Sequence, residues 1–227
     1  MRFLAILVIS LIITTVFSAC ATTREIEKPF TVDINSPKIP IDTIEVQFDN
    51  TMFRSGLRKV EVAVSYFPLE NAVCLEYRLD SITYHLFFDW RGRAAFINAL
   101  EQYKQDFEQR NFERNTRQSR RHYDTVQGYL FWQRFRFSVQ AEGEVGISIG
   151  YFFKDRRPYF TITQREAVYI DPQSQRDMHK SGEITMYFTR AQADALAALF
   201  SEQHLRGLSN NRSLDSFLNS NTDFDDY

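Results

Sequence analysis

The chain has 227 residues, 44% of them hydrophobic, and its 21 Phe, 11 Tyr and 2 Trp are ample material for a packed core. That inventory excludes disorder over most of the length and fits one ordinary domain. Gly (8) and Pro (6) are scarce, and 27 Lys+Arg nearly balance 29 Asp+Glu. Collagen-like and Gly-rich architectures are therefore excluded, glycine-lined phosphate loops are disfavoured, and the chain as a whole carries no charge surplus for a polyanion.

In chain order, Arg2 is followed by an uninterrupted apolar or small stretch from Phe3 to Phe17, then Ser18, Ala19 and Cys20. Basic start, short apolar run and small residues are the order of a secretory leader. As a helix the run rises only about 22 Å, short of a hydrocarbon core of about 30 Å, so a leader is favoured over a permanent span. Phe17-Ser18-Ala19-Cys20 resembles the lipobox of bacterial lipoproteins, with Phe17 where leucine is usual. The resemblance implies that residues 1–19 are removed and that Cys20 becomes an acylated N-terminus, holding the protein on a membrane. Ala21, where inner-membrane lipoproteins typically carry Asp, makes the resemblance lean towards the outer membrane.

Residues 20–41, with Pro29, Pro37 and Pro40, read as the lipidated N-terminus and an extended tether. A folded domain is expected over 42–208. Period-two alternation marks strands at Ile44–Phe48, Val60–Tyr66, Val73–Leu79 and Ile82–Phe88, with connectors short enough for antiparallel pairing. At Asp89, a good N-cap, the period becomes helical and runs to about Gln109 through Phe96, Ile97, Leu100, Tyr103 and Phe107.

Further strands are expected at Tyr129–Val139, Val145–Phe153, Tyr159–Gln164, Ala167–Ile170 and Glu183–Phe188. In the first of these, Tyr129, Phe131, Phe135, Phe137 and Val139 form the apolar face, and Leu130, Trp132, Arg134 and Arg136 the mixed one. Glu142-Gly143-Glu144 reads as a solvated hairpin tip. Gly146, Ser148 and Gly150 leave room on one face for a close approach. Thr189–Gln192 is a capping box opening a helix to about Leu205. The expected fold class is α+β: antiparallel sheet packed with two amphipathic helices, with a division into two ββββα halves as one arrangement. Residues 209–227, with Asp215, Asp223, Asp225 and Asp226 against Arg212, read as an acidic disordered tail.

Chemistry-bearing motifs are sparse. His85, His122, His179 and His204 show no metal-ligand spacing, and Cys74 reads as a small core residue. Nucleophile elbows, Walker loops and dinucleotide fingerprints do not occur. No catalytic residue, metal or cofactor is therefore assigned. The connector holding Arg110, Arg114, Arg117, Arg120 and Arg121 against Glu113 is a local basic surplus. It could contact an anionic partner, at about 1 kcal/mol per residue beside anionic lipid, or serve simply as a solvated loop. Trp132 with Arg134 and Arg136 on one strand face suggests a single-strand nucleic-acid platform. The strand–helix order is similar, in topology only, to the Pur and Whirly class of nucleic-acid-binding proteins.

The expected function, implied by the lipoprotein resemblance, is a membrane-attached envelope protein with a non-enzymatic binding or assembly role toward an envelope protein or polymer. An envelope enzyme with a site assembled in space is the alternative. An exported chain rarely meets intracellular nucleic acid, which places that partner last.

Overall fold

The computed structural model describes residues 30–49, 56–112, 120–134, 139–154, 156–170 and 177–210. The leader, Cys20 and the acidic tail from residue 211 lie outside them. Strands run over β1 (Ile39–Asp49), β2 (Leu57–Phe67), β3 (Ala72–Leu79) and β4 (Ile82–Phe88), followed by helix α1 (Trp90–Glu108). Then come β5 (Arg120–Arg134), β6 (Val139–Lys154), β7 (Arg157–Gln164), the short pair β8 (Val168–Ile170) and β9 (Asp177–Lys180), β10 (Ile184–Phe188) and α2 (Arg190–Phe200). A further helix, α3, occupies 202–210.

Eight strands close into an antiparallel barrel in the order β1-β10-β7-β6-β5-β4-β3-β2, with β8-β9 a separate two-stranded sheet. This corrects the α+β expectation and its two ββββα halves. β4 pairs with β5 from Ile82↔Arg134 to Phe87↔Tyr129, and β1 pairs with β10 at Gln47↔Tyr187 and Phe48↔Met186. Strands from both runs thus build one wall, and the Pur/Whirly likeness in topology goes with the halves. Closure was not visible in local periodicity because it rests on pairing between residues about 140 positions apart.

Alternation decides what fills the barrel. Val46, Phe48, Val62, Val64, Val73, Leu75, Tyr77, Tyr84, Leu86, Ile147, Ile149, Ile162 and Met186 are buried in one interior cluster. Leu130 and Trp132 belong to that cluster, whereas Tyr129 and Phe131 face outward. The faces of β5 are therefore the reverse of the sequence reading, and Trp132, 4% exposed, is no surface platform for bases.

Glu142, Gly143 and Glu144 are not a hairpin tip either: they lie inside β6 opposite Phe131, Leu130 and Tyr129. Their inward neighbours are the small Ala141 and Gly143, so the strand shows no hydrophobic alternation there. At Gly150 the close approach is backbone: a Cβ would overlap the Arg121 carbonyl, beside the β5 bulge at His122/Asp124.

The helices close the end of the barrel where β4 and β10 finish and β7 begins. The Tyr103 hydroxyl donates to the Pro158 carbonyl at 2.8 Å. Phe200 packs on Phe88 and Phe96, and Phe96 on Phe160, at centroid distances of 5.0–5.3 Å. Both sequence-read caps are present: Asp89 accepts from the Gly92 N–H at 2.7 Å, and Thr189 forms the capping box with Gln192. The second helix stops at Phe200 rather than Leu205 because Ser201 is extended. Its hydroxyl donates to the Ala198 carbonyl and accepts the His204 N–H, ending one helix and starting the next.

Upstream, folded structure begins earlier than the pattern suggested. Val32 is buried, and Phe30 and Ile34 are partly buried, on an outward apolar strip made by Phe67, Ala72, Cys74, Phe87, Tyr129 and Phe131. Residues 30–36 thus form a strap over strands β2–β5. Ser36 Oγ donates to Glu70 Oε1 at 2.5 Å, and Lys38 pairs with Glu76 at 3.3 Å.

Candidate functional site

One cleft lies at the helix-capped end, beside Arg93. With Asp89 as N-cap, Trp90 is the first residue of α1 and Arg93 falls one turn later, on the face that also carries Phe96 and Leu100. Arg93 is only 1% exposed. Its Nη1 donates to the Asn71 carbonyl at 2.6 Å, and its Nη2 donates to Asn71 Oδ1 at 3.0 Å and to Glu202 Oε1. Asn71, at φ 48°, ends the β2–β3 turn, and its Oδ1 also accepts from the Tyr66 hydroxyl. The extended Ser201 brings Glu202 to the guanidinium. One buried cation therefore ties together a hairpin turn and two helices.

The cleft beside this clamp encloses about 480 Å³, with Trp90, Ala94, Ile97 and Phe200 as apolar lining and Glu202 and Arg206 at its charged edge. Trp90 is 54% exposed, and the Arg91 guanidinium sits 5.1 Å from its ring centroid. The Arg93 guanidinium and the Glu202 carboxylate are engaged with each other. The arrangement suits holding an apolar group rather than dividing acid and base work. Sequence reading missed Arg93; the available signal was an arginine at helical spacing with Phe96 and Leu100.

A second groove of about 630 Å³ runs between the strap and the barrel, past Asp33, Asn35, Tyr129, Glu142 and Tyr169. Burial, and then the neighbouring Glu142 carboxylate, push the Tyr129 hydroxyl up to about 12.

Of the arginine connector, the side chains of Arg110 and Arg121 lie among the described residues. Arg110 is exposed at φ 56° beyond α1. Arg121 lies on β5, 3.8 Å from Asp106 and with its guanidinium 5.7 Å from the Tyr123 ring centroid. Arg120 opens β5, and its side chain, like Arg114 and Arg117, lies outside what is described. Among the described residues no group of three or more His, Cys, Asp or Glu is placed to hold a metal. Cys74 is buried under the strap, and burial pushes its thiol well above the ordinary range.

Fold and cleft together define a side-chain-filled antiparallel barrel, capped by helices at one end and strapped on its outer wall. Residues 39–207 match the family model described as "Uncharacterised Treponema protein", and the chain belongs to that bacterial family. No curated protein and no solved structure matches the chain.

Proposed function

We propose that the protein is a lipid-anchored envelope lipoprotein, held through Cys20 on the outer membrane, with a non-enzymatic role in binding an envelope protein or polymer. The observation that carries this reading is the polarity of the barrel. Exposed wall positions such as Glu45, Lys59, Glu61, Arg78, Gln127 and Glu142 are polar, while the apolar alternates fill the interior. A membrane-spanning barrel shows the opposite pattern. Among the described residues no helix is long and apolar enough to cross a membrane. Membrane attachment of such a domain then falls to the chain upstream, where the lipobox-like Phe17–Cys20 stands ten residues before the strap. The apolar cleft at the capped end, its charges mutually engaged, supports binding over catalysis.

Replacing Cys20 with Ala in the full chain is expected to abolish fatty-acid labelling and release the protein from the membrane fraction. Continued labelling or unchanged sedimentation sinks the anchor. Proteins and envelope polymers that co-purify with the natural chain identify the partner.

A further inference from the structure

Three large hydrophobic side chains are exposed among the described residues: Leu69 at 77%, Trp90 at 54% and Phe107 at 40%. Two of them flank one junction of turn and helix. Leu69 is two residues before Asn71 in the β2–β3 turn, Trp90 is one helical turn before Arg93, and the Arg93–Asn71 hydrogen bonds join the two elements. The patch is rigidly backed, since Arg93 is fixed on three acceptors from Asn71 and Glu202.

The strap arrives at the same corner. Ser36 bonds Glu70, the residue after Leu69, and Val32 packs in the cluster of Phe87, three residues before Trp90. Between Cys20 and Phe30 lie nine residues, whose greatest reach is about 35 Å. A chain held at Cys20 therefore keeps the start of the strap within about 35 Å of the bilayer surface.

We propose that Trp90 and Leu69 form an interfacial contact that seats the helix-capped end of the barrel on a phospholipid bilayer. The proposal rests on the anchoring reading above. Trp is a side chain of choice for the interfacial zone, with an apolar body and a polar N–H. Two side chains are too little to hold a free protein on a membrane. They suffice for a tethered one, because the anchor makes the second contact intramolecular and raises its effective concentration. Charges around the patch balance: Arg91, Arg93 and Arg206 stand against Glu70, Asp89 and Glu202. Recognition is therefore of the bilayer interface itself, and neither salt nor anionic lipid governs it.

The test uses the chain from Cys20 onward, which keeps every described residue, coupled through Cys20 to a maleimide-phospholipid in phosphatidylcholine vesicles. Cys74 is buried and does not compete. The vesicles carry a spin-labelled phosphatidylcholine as quencher near the headgroups. Trp90 emission is read as the difference between this chain and its Trp90→Phe variant, the buried Trp132 remaining constant. Coupling is expected to shift Trp90 emission to the blue and quench it, Leu69→Glu to reverse both, and added phosphatidylglycerol to change neither. Trp90 remaining as open to aqueous iodide as in the uncoupled chain overturns the contact. So does a blue shift that follows protein concentration without vesicles, which marks a second copy as the occupant. Mass analysis of the N-terminal peptide from natural membranes reads the anchor separately. Absence of an acyl group there overturns the anchoring reading and this proposal with it, whereas an acylated chain whose Trp90 stays in water overturns this proposal alone.

Discussion

Arg93 is the residue whose charge the fold must compensate, because its guanidinium is buried while Glu202 keeps about half of its side chain in water (1% against 49% exposed). Removing the acid leaves a buried cation with only amide partners, whereas removing the cation leaves an acid that can be hydrated. Glu202→Ala is therefore expected to cost about 3 kcal/mol in urea unfolding, and more than Arg93→Met. The double variant should cost no more than Arg93→Met alone. The reverse order would mean that Arg93 acts by shape rather than charge.

Tyrosines set a second residue-scale expectation. Burial pushes Tyr103 up to about 12, and burial with Glu142 does the same to Tyr129. Both exceed the ordinary value near 10, so above that pH the unfolded chain releases protons that the folded chain retains. Stability should hold below about pH 10 and fall between about 10 and 12, and Tyr103→Phe should soften the fall. A flat stability curve through that window refutes the assignment. Caps were legible at this scale, since Asp89, Thr189 and Gln192 act through neighbours three residues away. Arg93 was not, because its partners lie 22 and 109 positions along the chain.

At the scale of elements, most strands could be read because inward Val, Ile, Leu and Tyr alternate with polar residues. The misreadings have specific causes. β5 carries aromatics on both faces, since Tyr129 and Phe131 meet the strap while Leu130 and Trp132 fill the barrel. The first part of β6 has small inward residues and lost its signal. The strap was read as tether because Phe30, Val32 and Ile34 alternate over too short a span, between prolines.

Since no strap residue belongs to the interior cluster, Val32→Asp should raise hydrogen exchange at residues 30–36 and on the outer strip. The interior strands should keep their protection. Collapse of protection throughout the barrel would show the strap to be integral to it. Acid acts on the same layer. His85 lies 3.6 Å from Glu76 and edge-on to Phe131, and burial, which outweighs the Glu76 carboxylate, lowers its pKa from 6.5. The folded chain thus resists protonation that the unfolded chain accepts. Stability is lost as pH falls below about 6.5, and His85→Gln should remove that loss.

For the molecule as a whole, closure of the barrel was the feature that no local pattern could carry. Among the described residues, the pairs Gln47↔Tyr187 and Phe48↔Met186 join β1 to β10. Beyond them Gln192 Nε2 donates to the Glu45 carbonyl at 2.6 Å, so a helix side chain continues the seam where strand pairing stops. Further along β1, Pro40 and the bulge between Pro40 and Asp42 discourage pairing with another chain.

A wall sealed in this way shares its interior cluster with both long helices, as Phe96, Leu100, Leu196 and Phe200 pack among strands from both runs. Neither run can bury its apolar face alone. Unfolding by urea is therefore expected in one cooperative step, although the sequence suggested two halves. Trp132 in the Trp90→Phe variant reports the barrel interior, Trp90 in the Trp132→Phe variant reports the helical cap, and far-ultraviolet circular dichroism reports both. Coincident midpoints and a single slope for all three support the closed wall. A cap transition well before the barrel transition would show that the helices sit on a barrel that is stable without them. Gln192→Ala, which breaks both the seam and the capping box of α2 but touches neither tryptophan, should shift all three midpoints together.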